Sequence, residues 1–124
     1  EENLSLGALM SGIYWTGLEN KAVDFYVLKG VTEELLDYLG FNGRYSFVTN
    51  KEFPVELHPY QSAYINVNND IVGFIGKLHP NTSKQDAYVL EINLDKLLAK
   101  KVDVIYVNVK KDTINDILYF FKKL

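Results

Sequence analysis

The chain reads as an α+β domain, an antiparallel sheet with helices packed on it. Three observations carry that reading. The strand-like stretches 62–67 and 71–77 are joined only by Asn68-Asn69-Asp70, residues that tolerate the positive φ of a tight hairpin turn. Tyr88, Leu90 and Ile92 alternate with Val89, Glu91 and Asn93, the period of a half-buried antiparallel strand. Val27, Leu28, Val31, Leu35, Leu36 and Leu39 recur at helical spacing and form one apolar stripe. Strand neighbours joined by short turns, with amphipathic helices before and after them, imply a sheet covered by helices.

From the start, Leu4 to Trp15 predicts a first strand, in which Gly7, Ala8, Ser11 and Gly12 would let another element pack close. Thr16 to Asn20 is polar and predicts a turn. Asp24 is a plausible N-cap for a helix running to about Leu39, with Glu33, Glu34 and Asp37 on its solvated side. Gly40 ends it, because a left-handed residue there costs glycine little. After the Asn42-Gly43 turn comes a short strand, 45–49, and then a loop over 51–59 punctuated by Pro54 and Pro59. The hairpin 62–77 follows. Pro80 predicts a short helix to about Gln85, proline being favoured at a first helical position. Next are the strand 88–93, a helical turn or two over 94–100, and a β-branched strand, 102–109. A final amphipathic helix, 113–124, sets Ile114, Ile117, Leu118 and Phe121 on one face. The predicted division is a module over 1–100 and a βα tail over 101–124, the tail belonging either to the same domain or to the start of another.

At 124 residues this is one domain's worth of chain, long enough to bury roughly two thirds of its unfolded surface. Hydrophobic residues make up 48% and charged residues 23%, which is globular composition. With no cysteine, disulfides and thiolate metal sites are excluded. No apolar run approaches the ~18 residues that span a bilayer, so no membrane association and a cytoplasmic location are expected. The chain opens on Glu1-Glu2-Asn3 instead of methionine, which reads as an excised piece of something longer. A net charge of −3 argues against a general nucleic-acid binder, although seven lysines against three aspartates make residues 96–123 locally basic. A lysine-bearing tail of that kind is the usual solubilising surface.

Candidate chemistry is sparse. There is no serine nucleophile elbow and no metalloprotease helix motif, and Gly73-Phe74-Ile75-Gly76 falls inside a strand, where close backbone packing or a bulge explains it better than a phosphate loop. The two histidines, His58 and His79, each precede a proline. Either Glu52 or Glu56 could join them around a metal, but nothing fixes the spacing, and a locally hydrogen-bonded histidine is the plainer reading. No catalytic, cofactor-binding or metal residue is assigned. One arginine, Arg44, is too few for the paired guanidinium contacts of an ATP-activating site. Aromatics are plentiful, and tyrosines and tryptophan outside the core would suit a protein interface.

Several motifs stand together in one order: Trp15, Asp24-Phe25-Tyr26-Val27-Leu28-Lys29-Gly30, Leu35-Leu36-Asp37-Tyr38-Leu39-Gly40, His58-Pro59-Tyr60-Gln61-Ser62-Ala63, Gly73-Phe74-Ile75-Gly76-Lys77-Leu78-His79-Pro80, and Tyr88-Val89-Leu90-Glu91-Ile92-Asn93-Leu94. Over roughly 4–98 the chain resembles the β subunit of bacterial phenylalanyl-tRNA synthetase, in the module that copies a class II aminoacyl-tRNA synthetase fold without its chemistry. It departs from that family at Tyr60-Gln61, where glycine-arginine is usual, which removes the arginine that would carry a tRNA or subunit contact. Beyond Leu98 the likeness to the opening of a ferredoxin-like anticodon-binding domain is weak. The resemblance implies an (αβ)₂ ligase in which the α subunit activates phenylalanine with ATP and Mg²⁺. This module would then be a catalytically inert part that packs against the α subunit, with tRNA bound by the complex and no cofactor of its own. Interface candidates are Trp15, Tyr26, Lys29, His58, Tyr60, Gln61 and His79. The alternative is a free-standing module that reuses the fold to bind a protein or an RNA.

Overall fold

The computed structural model describes residues 4–11, 13–16, 19–49, 51–100 and 106–124, with backbone alone for 13–16, 19–22 and 106–110. In chain order its elements are β1 (Ser5–Ser11), β2 (Ile13–Thr16), β3 (Glu19–Ala22), α1 (Phe25–Tyr38), β4 (Tyr45–Val48), β5 (Leu57–Val67), β6 (Asp70–Leu78), β7 (Ala87–Asn93), α2 (Leu94–Leu98) and α3 (Tyr106–Lys122). Among the described residues one five-stranded antiparallel sheet runs in the order β1-β7-β6-β5-β4, and β2 pairs with β3 as a separate ribbon. The α+β architecture is as the sequence predicts.

Local chemistry sets the helix and hairpin ends. Asp24 stands in extended backbone and accepts the Val27 N–H at 2.8 Å, capping α1. At the other end Phe41 N–H reaches the Leu36 carbonyl at 2.9 Å and Gly40 N–H reaches the Asp37 carbonyl at 3.0 Å, with Gly40 at φ +94°. That pair of bonds is a Schellman stop, and the hydrophobic contact that accompanies such stops is supplied by the fully buried Phe41. Between β5 and β6, Asn68 and Asn69 both take positive φ, 52° and 64°, as a two-residue hairpin turn requires.

One face of the sheet carries the core. Leu28, Leu35 and Leu36 of α1, Leu94 and Leu97 of α2, and Ile117 of α3 pack with Ala63, Ile65, Val67, Val72, Ile75, Leu90 and Ile92 in a single cluster. Thr32 is buried in the same helix face, its hydroxyl donating to the Leu28 carbonyl at 2.8 Å. The β5–β6 register slips between Ile65 and Asn66, so Val72 and Ile75, three residues apart, both reach the core. Gly73 lies at that slip. A Cβ there would stand 2.1 Å from the Glu91 carbonyl oxygen, and one on Gly76 would stand 2.5 Å from Ser62 Oγ. The glycines of β6 therefore mark close packing inside a strand, as expected.

Other expectations change. The predicted strand 4–15 is two strands in different sheets, since β1 pairs with β7 whereas β2 pairs with β3. The predicted polar turn 16–20 includes the start of β3, with Trp15 opposite Asn20; polar residues are tolerated in a strand that need not bury both faces. The loop predicted over 51–59 ends earlier: Leu57 is buried and pairs with Leu78, and the Glu56 carbonyl accepts the His79 N–H at 2.7 Å. No helix forms after Pro80. The His79 carbonyl takes the N–H of Thr82 at 2.7 Å and of Ser83 at 3.1 Å, and Ser83 Oγ then donates to the Gln85 carbonyl, closing a turn in place of a helix. The strand predicted over 102–109 is contradicted at 106–109, which form the first turn of α3; residues 101–105 lie outside those described. Helix propagation adds one bond per residue to an established helix and overrides β-branched preference there. On α3, Thr113 and Ile117 are buried while Leu118 is 64% exposed, so Leu118 does not share the core face expected of it.

Candidate functional site

At the N-terminal end of α1 the helix passes the ends of β4 and β5 and leaves a groove of about 610 Å³. Four of the seven residues singled out in the sequence line it: Tyr26 and Lys29 from α1, Tyr60 and Gln61 from β5. The two tyrosines stand out into solvent, 76% and 91% exposed. Phe25 meets Tyr26 edge-on at 5.7 Å, and Lys29 Nζ sits 5.3 Å from the centre of the Phe47 ring. Lys29 makes no ion pair among the described residues. Phe25, Phe47 and Thr49 also line the groove and are not among those seven. The alternation of β4 could have pointed to Phe47, whereas the approach of α1 to it is purely tertiary.

Behind the groove the twin leucine-histidine-proline motifs meet. Leu57 and Leu78 are cross-strand partners, which brings the His58 and His79 rings to 6.3 Å at a 31° tilt; Tyr60 continues the row 6.1 Å from His58. Each imidazole does the same local work: His58 Nδ1 accepts the Tyr60 N–H and His79 Nδ1 accepts the Asn81 N–H, both at 3.1 Å. With Nδ1 taken as an acceptor, each neutral ring carries its proton on Nε2. The hydrogen-bonding reading of the histidines holds. Among the described residues no group of three or more histidines and carboxylates is gathered to hold a metal ion. Trp15 lies on β2, and its side chain is outside those described.

The single arginine is committed elsewhere. Arg44 donates to the Lys100 carbonyl and lies 5.0 Å over the Phe41 ring, tying the end of α2 to the stop of α1. Nearby, Asp70 receives Lys100 at 2.9 Å and Lys96 at 3.5 Å. The hydrogen bond from Lys100 is the main cause that holds the Asp70 carboxyl below the usual carboxylate range, against the opposing effect of partial burial. On β4, burial first and then the hydrogen bond to Asp37 (2.9 Å) push the Tyr45 hydroxyl up to about 12.

The second surface is the sheet face opposite the helices. One row across it runs Leu9, Val89, Gly76, Ser62, and the next runs Gly7, Glu91, Phe74, Tyr64, Val48. Phe53 stacks on Tyr64 at 4.8 Å and covers the β5 end, while Leu9 is 63% exposed at the other. A shallow depression of about 390 Å³ lies between Leu9, Phe74 and Val89. The sequence pointed to none of Leu9, Phe74 and Val89 as a site.

A family model described as the phenylalanyl tRNA synthetase beta chain CLM domain matches residues 1–94. The chain belongs to that family. The matched span holds the groove, the histidine pair and the whole five-stranded sheet, and leaves α3 outside it. This chain is similar to phenylalanine–tRNA ligase beta subunits: that of Shouchella clausii is 36% identical over 112 residues (84% of this chain and 14% of the relative), that of Bacillus licheniformis 41% over 102 (78% and 12%), and that of Bacillus subtilis 42% over 89 (68% and 11%). The chain thus spans 11–14% of the length of these curated relatives. Among the described residues no helix is long and apolar enough to cross a membrane.

Proposed function

We propose that the chain is a catalytically inert, class II synthetase-like module that supports assembly of a cytoplasmic phenylalanine–tRNA ligase by packing against the α subunit. Activation of phenylalanine with ATP and Mg²⁺, and the binding of tRNA, then belong to the complex. One observation carries the reading: α1, α2 and α3 all pack into the core on one side of the sheet, and the other side presents Leu9, Phe74 and Val89 with no described element over them. An apolar patch on the second face of a sheet is suited to a second layer packed over it, and a partner subunit supplies one. The commitment of Arg44 to the fold is consistent with a module that handles no nucleotide.

The test is co-expression of the chain with the ligase α subunit of the same organism, followed by co-purification. The wild-type chain retains the α subunit, and a Phe74→Ser, Val89→Glu double variant with an unchanged far-ultraviolet spectrum loses it. Failure of the folded wild-type chain to retain the α subunit overturns the reading; equal retention by the variant moves the contact off this face.

A further inference from the structure

Part of the groove wall is held by a bond that exists only while a histidine ring is neutral. Leu57 pairs with Leu78 and Ser62 with Gly76, so His58, Pro59, Tyr60 and Gln61 of β5 bulge out opposite Lys77 alone. A strand ladder cannot hold such a bulge, and Pro59 has no N–H to offer. Its bonds are local instead. The Tyr60 N–H donates to His58 Nδ1 at 3.1 Å, and Ser62 Oγ donates to the His58 carbonyl at 2.7 Å. Tyr60 and Gln61, the last two residues of the bulge, stand in the groove wall with Tyr26 and Lys29.

An imidazole accepts a hydrogen bond at Nδ1 only when that nitrogen carries no proton. In the imidazolium both nitrogens donate, so Nδ1–H meets the Tyr60 N–H head-on and attraction becomes repulsion. The same holds for His79 and the Asn81 N–H, also at 3.1 Å. The two turns do not depend equally on their rings. The His79 carbonyl also receives the backbone N–H groups of Thr82 and Ser83, bonds that protonation leaves intact. The rings lie 6.3 Å apart, so two imidazolium charges would also repel one another. Among the described residues neither ring makes an ion pair that would offset its charge. Glu56 precedes the bulge, and Lys51 and Glu52 share a depression with Pro59 and Tyr60. Lys77, opposite the bulge, is held by Asp86 at 3.2 Å and pairs with Tyr88 of β7. Lys84 follows the His79 turn, and Asp24 and Lys29 lie across the groove.

We infer that His58 is a proton-sensitive latch: its neutral ring closes the bulge 58–61, and uptake of a proton at Nδ1 frees Tyr60 and Gln61 from the groove wall. The sign follows from the acceptor. The latch is closed when the ring is neutral, at higher pH, and opens as pH falls and the ring takes up its second proton. His79 contributes through its charge, since its own bond goes to Asn81 and not to the bulge. The device is built from this chain's residues and does not depend on the ligase reading.

Nitrogen-15 NMR on the whole chain, titrated from about pH 8 to about pH 5, tests it, because histidine charge ordinarily changes in that range. At the upper end both rings are expected as the Nε2–H tautomer. On acidification the Tyr60 amide proton moves upfield and its order parameter falls below about 0.6, at the midpoint of the His58 ring and with far-ultraviolet ellipticity unchanged. His58→Asn offers a side-chain oxygen to the same N–H and does not titrate, so the Tyr60 amide stays bonded and ordered throughout. His79→Asn abolishes the response of the Asn81 amide and leaves that of Tyr60 in place. An Nδ1–H tautomer at His58 overturns the inference. So does a Tyr60 amide that fails to follow the His58 ring, a loss of ellipticity over the same range, or a Tyr60 response that persists in His58→Asn. Tautomer and midpoints are read on the wild-type chain, so they decide the matter even where a variant fails to fold.

Discussion

Gly73 and Tyr45 show how a single residue carries a tertiary constraint. A methyl group at Gly73 has no place to go, because its neighbours on β7 are backbone atoms that cannot rotate aside. Gly73→Ala should therefore cost about 1–3 kcal/mol, as overpacking of a tight core does, read as a lowered urea midpoint at unchanged slope. An unchanged midpoint would mean that β6 and β7 stand further apart than the structure has them. Tyr45 behaves differently because its constraint is electrostatic. Burial and the Asp37 carboxylate raise its hydroxyl from 10.0 to about 12. The folded state therefore keeps a proton that the unfolded chain gives up, so the stabilisation is complete below pH 10 and lost as pH rises toward 12. Ultraviolet titration should show one phenol ionising near 12, and Asp37→Asn should bring it down. A titration of Asp37→Asn identical to that of the wild-type chain would remove Asp37 as a cause.

At the scale of elements, α1 and α3 differ in how fully their neighbours determine them. The stop signals of α1 are local: Asp24, Gly40 and the leucine spacing give its limits and its buried face, and the structure agrees with each. The contact line of α3 is set by what it meets, and runs through Thr113 and Ile117 instead of through Leu118. Ile117→Ala, at 4% exposure, should cost about 2–5 kcal/mol. Leu118→Ala should stay within about 0.5 kcal/mol. Similar losses for the two in thermal melts would return Leu118 to the core face. The same distinction explains the misread segments. The ribbon of β2 and β3 and the helical start of α3 depend on pairing and propagation, which apolar periodicity does not encode.

At the scale of the whole molecule, the described helices and the five-stranded sheet share one core. Ile117 of α3 belongs to the same cluster as Ile75 and Leu90 of the sheet, and Phe120 and Phe121 pack against it. Unfolding should then be one cooperative event, with far-ultraviolet ellipticity and tyrosine fluorescence following the same urea curve. A separate, earlier loss of helix would show that residues 101–124 form their own unit. The candidate site was partly legible on the same grounds. Tyr26, Lys29, Tyr60 and Gln61 stand in the sequence motifs and all line one groove, but nothing in the sequence places Phe47 beside Lys29. The bare sheet face was not legible at all, because an alternating strand reads alike whether its second face meets water or a partner.

The sequence by itself determined the α+β class, the turn at Asn68-Asn69, both ends of α1, the buried positions of β7 and the family, since each rests on residues adjacent in the chain or on motifs in linear order. The tertiary structure alone decided that His58 and His79 lie side by side, that Arg44 closes the end of α2, that Gly73 admits no side chain, and that β1 pairs with β7 at one end of the order of described strands. Those facts are distances between residues far apart in the chain, and strand order and helix approach, which periodicity does not fix, are what set them.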